Sequence, residues 1–175
     1  MIRVVEGDLA DQQVDAVMRA IRADLAPANS GSRDLVHGAG SAVEERLERI
    51  GALPLGGAVI TPGGDLPADF VIHVVVMSEE EPLTGPSVRK ALRNGLRRAS
   101  DWALESLALP PLGLGVGMLE ADASARALVD ILCDHLDEGR PPLELTLVVG
   151  SAYEGELFRR LVEEISRDRN QGHEN

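Results

Sequence analysis

Apolar positions along this chain follow two rhythms. Runs that alternate or stay continuously apolar lie near residues 2–6, 14–20, 58–62, 69–77, 107–112 and 143–150, and these predict strands. Between them the spacing turns helical. Leu35, Val36, Ala39, Val43, Leu47 and Ile50 recur with a period of roughly 3.6 and predict one helical stretch. Val88, Ala91, Leu92, Leu96, Ala99, Trp102 and Ala103 do the same, with basic residues on the opposite face. A third helix carries Leu128, Val129, Leu132, Cys133 and Leu136 and is closed by Gly139 and by Pro141-Pro142. The fourth opens on a capping box, Ser151-Ala-Tyr-Glu154, ahead of Leu157, Phe158, Leu161, Val162 and Ile165. Gly63-Gly64-Asp65 reads as a tight turn between two strands. Strands that alternate with helices predict an α/β class with a mostly parallel sheet.

Length and composition narrow the picture without changing it. At 175 residues the chain is read as one domain, 1–167, followed by a polar tail, 168–175, expected to fray. No apolar run approaches the roughly 20 residues of a membrane span. The start, Met1-Ile-Arg-Val-Val-Glu, alternates like a strand and is not laid out as a signal peptide. Cys133 is the only cysteine, which removes a disulfide framework and a cysteine zinc site. A cytoplasmic location is the expectation, with no cofactor and no membrane partner. The net charge of −12 and an aromatic content of 2% argue against a nucleic-acid surface. A small ligand held by main-chain groups stays open, because backbone donors do not enter a charge count.

Such donors are what the stretch Leu107-Ala-Leu-Pro-Pro-Leu-Gly-Leu-Gly-Val-Gly-Met-Leu-Glu-Ala-Asp122 offers. It reads as a strand, a loop with Gly113, Gly115 and Gly117, and a helix start. Glycines let a ligand approach the main chain, and free N–H groups ahead of a helix suit a phosphate or pyrophosphate. The loop is not a Walker loop, since no Gly-Lys-Ser/Thr follows, and Met118 stands where a dinucleotide fingerprint has its third glycine. In open α/β sheets the ligand crevice lies beyond the carboxyl ends of the strands. The Gly7-Asp8 turn, the 22–34 loop and the 113–118 loop all fall at such ends.

Together these residues resemble the macrodomain family of ADP-ribose-binding modules over roughly residues 2 to 165. Gly7-Asp8-Leu9 is similar to the family's Gly-Asp-Ile/Leu, and Val14-Asp-Ala-Val to the strand after it. Gly56-Gly-Ala-Val-Ile-Thr-Pro-Gly-Gly-Asp-Leu-Pro and Phe70-Val-Ile-His73 resemble the central hairpin, and Leu112-Gly-Leu-Gly-Val-Gly117 the phosphate loop. The resemblance implies a three-layer α/β/α sandwich with a mixed, mostly parallel sheet. It implies that Asp8 accepts from the adenine amine, that N–H groups near Gly113, Gly115, Val116 and Gly117 hold the diphosphate, with Leu114 and Met118 in the same loop where the family usually has Thr and Gly, and that Tyr153 packs on adenine. Leu9, Arg22 and Gly31 complete the implied ligand-binding set, with no metal.

The chain also departs from the family. Asn-Ala-Ala-Asn reads here as Arg19-Ala-Ile-Arg22, so the Asn that holds the distal ribose is replaced by Arg22, which has donors and no acceptor. The first loop, usually Gly-Gly-Gly-Val, aligns with Ala28-Asn29-Ser30-Gly31 or, one residue on, Asn29-Ser30-Gly31-Ser32. Each feature has a plainer reading. Asp8 could only cap a turn, Tyr153 could be half-buried in a first helical turn, and the glycine loop could only be tight. Arg19, Arg22 and Arg33 could be solvated, could pair with acids such as Asp24 or Asp34, or could contact an anion. His73 reads as a satisfied core residue, His135 as lying on a polar helix face, His37 as on or before a helix (in one register it matches a family histidine of structural use), His173 as tail, and Cys133 as a buried thiol. The leading expectation is a binder of ADP-ribose or a related adenosine diphosphate, with ADP-ribosylated protein a further possible partner, and weak or absent catalysis. The alternatives are an ADP-ribosyl hydrolase using Asp34 or Asp24, and a degenerate module working through protein contacts.

Overall fold

The computed structural model describes residues 1–113 and 121–172. The strands are β1 (Ile2–Glu6), β2 (Ala16–Arg22), β3 (Ala58–Pro62), β4 (Phe70–Met77), β5 (Ser106–Leu109) and β6 (Glu144–Val149). The helices are α1 (Ser30–Ala39), α2 (Ser41–Ile50), α3 (Gly85–Asp101), α4 (Ala121–Asp137) and α5 (Ala152–Gly172), with a 3-10 turn at Leu9–Asp11. The sheet runs in the order β1-β6-β5-β2-β4-β3. Every neighbouring pair is parallel except β3 with β4. This is the three-layer, mixed and mostly parallel sandwich that the resemblance implies.

Burial on both faces explains the composition of the central strands. Ala16, Met18 and Ala20 of β2 join Ile72, Val74, Leu107 and Leu109 in the larger core, with Leu92 and Leu96 of α3, Leu128 and Leu132 of α4 and Phe158 of α5. Val17 faces the other way, to Leu35 of α1, Val71, Ala108 and Val148. Asp15 ties the start of β2 to β5, because its Oδ2 accepts from the Glu105 and Ser106 N–H groups at 2.7 and 3.2 Å.

Three expectations change. The helical run from Leu35 to Ile50 is two helices, broken at Gly40, whose φ of +90° is left-handed and interrupts the helical ladder. The fifth strand stops at Leu109, since Pro110 and Pro111 carry no N–H to continue it. The polar segment after Asp168 does not fray at once. It is helical to Gly172, and Arg169 bonds Asp134 Oδ1 at 2.8 Å and Asp137 Oδ2 at 2.6 Å on α4.

The β3–β4 turn seats against the end of α1, where the Asp65 N–H donates to the Ala39 carbonyl at 3.0 Å. Gly64 sits in that contact with φ +60°, and a Cβ on it would lie 2.1 Å from the Ala39 oxygen. Gly139 has a similar φ of +67° with nothing within 4 Å of such a Cβ. Gly64→Ala therefore loses about 2 kcal/mol or more of unfolding free energy in urea titration, from a clash added to backbone strain. Gly139→Ala, with strain alone, loses about 1 kcal/mol.

Candidate functional site

The early end of β5 shapes the site. β2 pairs with β5 only at Ala16 and Val17, yet continues to Arg22 alongside β4. The overhanging carboxyl end of β2, the β1 turn and the connections after β5 and β6 enclose a cleft of about 690 Å³. Gly7, Asp8 and Leu9 form one end. The beginning of α1, with Asn29, Ser30 and Gly31, forms another wall, and Arg19 and Ala20 lie on the floor.

Local hydrogen bonds set these walls. Asp8 Oδ1 accepts from the Ala10 N–H at 2.9 Å and caps the 3-10 turn, so its plainer reading as a cap is met. Asn29 is the N-cap of α1, accepting from the Ser32 N–H at 2.8 Å. The Ser30 and Gly31 N–H groups have no partner among the described residues and belong to the open first turn of the helix. At α5 the Ser151 hydroxyl accepts from the Glu154 N–H, as the capping box requires. The reciprocal bond goes one residue earlier, from the Gly150 N–H to Glu154 Oε2 at 3.0 Å.

Beneath the cleft lies a charge that residue type alone does not place there. Arg19 is 1% exposed and is the bulkiest of the fully buried side chains. Its Nε–H donates to His73 Nδ1 at 2.8 Å, and its Nη1 donates to the Ser32 carbonyl and hydroxyl oxygens, each at 3.2 Å. The Ser32 hydroxyl in turn donates to the Ala20 carbonyl at 2.6 Å, which leaves its lone pairs for Arg19. Because His73 Nδ1 accepts, its proton sits on Nε2, which donates to Thr61 Oγ1 at 2.8 Å. The Thr61 hydroxyl passes its own proton to the Pro62 carbonyl at 3.2 Å. Three strands and α1 are thus joined by one chain of polar groups. Burial, reinforced by the Arg19 charge, holds His73 well below its usual range, so the ring is neutral. Burial also pushes Arg19 down to about 10, against the favourable charge of Glu44, so it remains a cation at neutral pH.

The cleft brings together Asp8, Leu9 and Gly31 of the sequence-derived set. Gly113 follows Leu112, which lines the cleft, and has φ +78°. Leu114, Gly115, Val116, Gly117 and Met118 lie outside the described residues. Arg22 is not among the lining residues. Its Nε stands 3.7 Å from Asp24 Oδ1. Tyr153 is 73% exposed and also lies outside the lining, and Arg33 is exposed. The lining also includes Asn29 and Ser30, which the resemblance places on the first loop without a ligand role, and Pro110, Pro111 and Glu154, which it does not assign to the site. Of these, an Asn two residues after Pro27 and ahead of a helical run was a legible N-cap signal.

His73 is the satisfied core residue expected, and Cys133 is buried and free. His135 is corrected. It is 7% exposed rather than on a polar face, because the 139–143 connection folds over it and the Pro142 carbonyl accepts from its Nε2–H at 3.0 Å. Among the described residues no group of three or more His, Cys, Asp or Glu side chains could hold a metal ion, and no helix is long and apolar enough to cross a membrane.

Comparison with known proteins supplies context for this geometry. The sequence profile of the macro domain matches residues 25–128. An uncharacterised protein of Aeropyrum pernix is 38% identical over 72% of this chain and 67% of its own length. A macro domain-containing protein of Cupriavidus necator is 31% identical, over 94% of this chain and 97% of its own. Among solved structures, the Trypanosoma brucei macrodomain in complex with ADP-ribose superposes with a TM-score of 0.82 at 21% identity, covering 92% of this chain and 68% of that one.

The polar chain sets an acid-stability prediction. His73 has a folded pKa below its ordinary 6.5, so the unfolded state takes up the proton first and stability falls as pH drops below about 6.5. Denaturant titrations across pH 7 to 4.5 therefore show part of the acid loss absent in His73→Gln. Thr61→Val leaves the Nε2–H without an acceptor and costs about 1–3 kcal/mol at pH 7.

Proposed function

Since the chain belongs to the macro domain family, we propose that its cleft binds ADP-ribose or a closely related adenosine diphosphate. The observation that carries this is convergence. The Gly7-Asp8-Leu9 turn, the open first turn of α1 and the connection after β5 meet around one cleft at the carboxyl ends of β1, β2, β5 and β6. At about 690 Å³ the cleft has the size of a small-molecule site. Asp8 Oδ2 keeps an acceptor for an exocyclic amine while Oδ1 caps the 3-10 turn. The Gly113–Gly117 loop would supply main-chain N–H groups to the diphosphate.

Catalysis is weak or absent in this reading. What supports that is the replacement of the family's distal-ribose Asn by Arg22, whose side chain lies against Asp24 and outside the lining. An arginine can neither accept from a sugar hydroxyl nor act as a base. The protein then acts as a reader or scavenger of the nucleotide. A second reading, hydrolysis of an ADP-ribosyl bond, has one observation in its favour. Asp34 lines the cleft and makes no hydrogen bond or ion pair among the described residues, which leaves a carboxylate available to steer water.

Calorimetric titration tests the binding reading. ADP-ribose binds with micromolar affinity, at least about tenfold more tightly than AMP. Gly115→Glu abolishes binding by setting bulk and negative charge where the diphosphate sits, and Asp8→Ala weakens it about tenfold. Unchanged affinity in Gly115→Glu rejects the assignment. Release of ADP-ribose from a modified protein, lost in Asp34→Ala, would replace the reader by the hydrolase.

A further inference from the structure

The outer side of α3 carries a charge opposite to that of the chain as a whole. Arg89, Lys90, Arg93, Arg97 and Arg98 are five of its 17 lysines and arginines, and no acid lies between Glu81 and Asp101. All but the half-buried Arg89 are exposed. Among the described residues these five make one ion pair, Arg93 Nη2 with Asp134 Oδ2 of α4 at 4.0 Å. Arg89, Arg93 and Arg97 follow one another at four-residue steps, where like charges repel along a helix. Packing does not require that cost, because α3 buries Val88, Ala91, Leu92, Leu96 and Ala99 on its other side.

A neighbouring row gives this surface its shape. Lys90, Asn94, Arg98 and Trp102 recur at the same step and run beside the outer strand β3. The Lys90 stem lies against Gly56, where an added Cβ would come 2.7 Å from Lys90 Cδ. Asn94 Nδ2 donates to the Gly56 carbonyl at 2.6 Å, and Arg98 Nε to the Ala58 carbonyl at 3.3 Å. Trp102 ends the row. Its ring stands edge-on to Phe70, with centroids 5.3 Å apart, and Phe70 pairs with Pro62 at the end of β3. This tryptophan, the only one in the chain, is 51% exposed. A cationic ridge thus ends in an apolar foothold, and no α3 residue lines the nucleotide cleft.

Dimensions and charge select the occupant. From Arg89 to Arg98 the helix rises about 14 Å, a span that four or five residues of extended chain cover. Acids bound the ridge, with Glu79, Glu80 and Glu81 before α3, Asp101 and Glu105 after it, and Asp134 beside it on α4. A long polyanion such as nucleic acid would run off the ridge into these acids, on a chain of net charge −12. A short acidic segment would not. We propose that α3 and Trp102 form a docking surface for a short acidic segment of a partner protein. Its carboxylates pair with Arg93 and Arg97, and an adjoining apolar side chain rests on Trp102. Arginine holds carboxylates through two parallel bonds, and tryptophan is enriched among the residues that anchor interfaces. The surface is separate from the cleft and stands or falls independently of the nucleotide reading.

Trp102 fluorescence on the full chain tests it, since no other tryptophan contributes to the signal. The probe is a synthetic peptide of four glutamates followed by two leucines. The expected result is a saturable blue shift, with affinity at least about tenfold lower in the double variant Arg93→Glu, Arg97→Glu and falling as salt is raised. Replacing the peptide's leucines by glycines removes the blue shift and weakens binding severalfold. Should the double variant not fold, Arg93→Gln with Arg97→Gln takes its place and weakens binding severalfold. No saturable shift in the wild type, or unchanged affinity in a folded double variant, overturns the surface. So does equal binding of the glycine peptide, which would mark mere charge attraction. Tighter binding of a ten-nucleotide oligothymidylate than of the peptide rejects the acidic segment in favour of nucleic acid. A blue shift that grows with protein concentration alone, with dimers in sedimentation, rejects it in favour of a second copy of this chain.

Discussion

The hydrogen bond from Arg19 Nε to His73 Nδ1 organises more of this molecule than any other polar contact. The two residues face each other on β2 and β4, the pair with the longest register in the sheet. From there the network reaches β3 through Thr61 and α1 through Ser32. A guanidinium can be kept in such a place only if its donors are met, and the neighbours are arranged to meet them. His73 must be the Nε2–H tautomer, and the Ser32 hydroxyl must point at Ala20. The wall of the cleft is therefore positioned by the same bonds that solvate the charge. This is why the fold of α1 and the chemistry of the site cannot be separated.

The opening of the cleft has a different origin. A parallel sheet with all strands of equal length would run its ladder past this point. Here Pro110 and Pro111 end β5 at Leu109 while β2 continues to Arg22. The Ala20 carbonyl, lacking a partner on β5, accepts instead from the Ala28 N–H at 3.2 Å and from Ser32. The connection into α1 is folded back over the strand end by groups that the short strand leaves free.

Most strands and helices were legible because burial on one or two faces leaves a period in the sequence, and that period survived everywhere except at Gly40. There the apolar spacing carries on, with Leu35, Val36 and Ala39 buried on α1 and Val43 and Leu47 on α2, although Ile50 is 41% exposed, and only the left-handed backbone reveals two helices. The site was half legible. Gly7-Asp8 and Gly31 can be found by motif, but the readings open to Arg19 (solvated, paired with an acid, or contacting an anion) do not include a buried cation held by neutral acceptors. A signal for its burial existed. Ala16, Met18 and Ala20 alternate with Val17 and Ile21, so both faces of the strand are apolar and a charge between them has nowhere to reach water. Its partners were not legible, because Ser32 and His73 lie 13 and 54 positions away and hydrogen bonding at such separations leaves no local pattern. The polar end of α5 was misjudged for a related reason. Asp168 there meets Arg126 of another helix, and Arg169 meets the acids of that helix.

That last contact has an electrostatic consequence. Asp130, Asp134 and Asp137 lie along one side of α4, and Arg169 approaches all three, at 3.6, 2.8 and 2.6 Å. In a chain of net charge −12, the final turns of α5 act as a built-in counter-ion for a neighbouring helix, work that dissolved salt would otherwise have to do. Clipping the chain before Arg169 would therefore do more than shorten a helix. It would leave three neighbouring carboxylates to repel one another, a cost that dissolved ions would then screen.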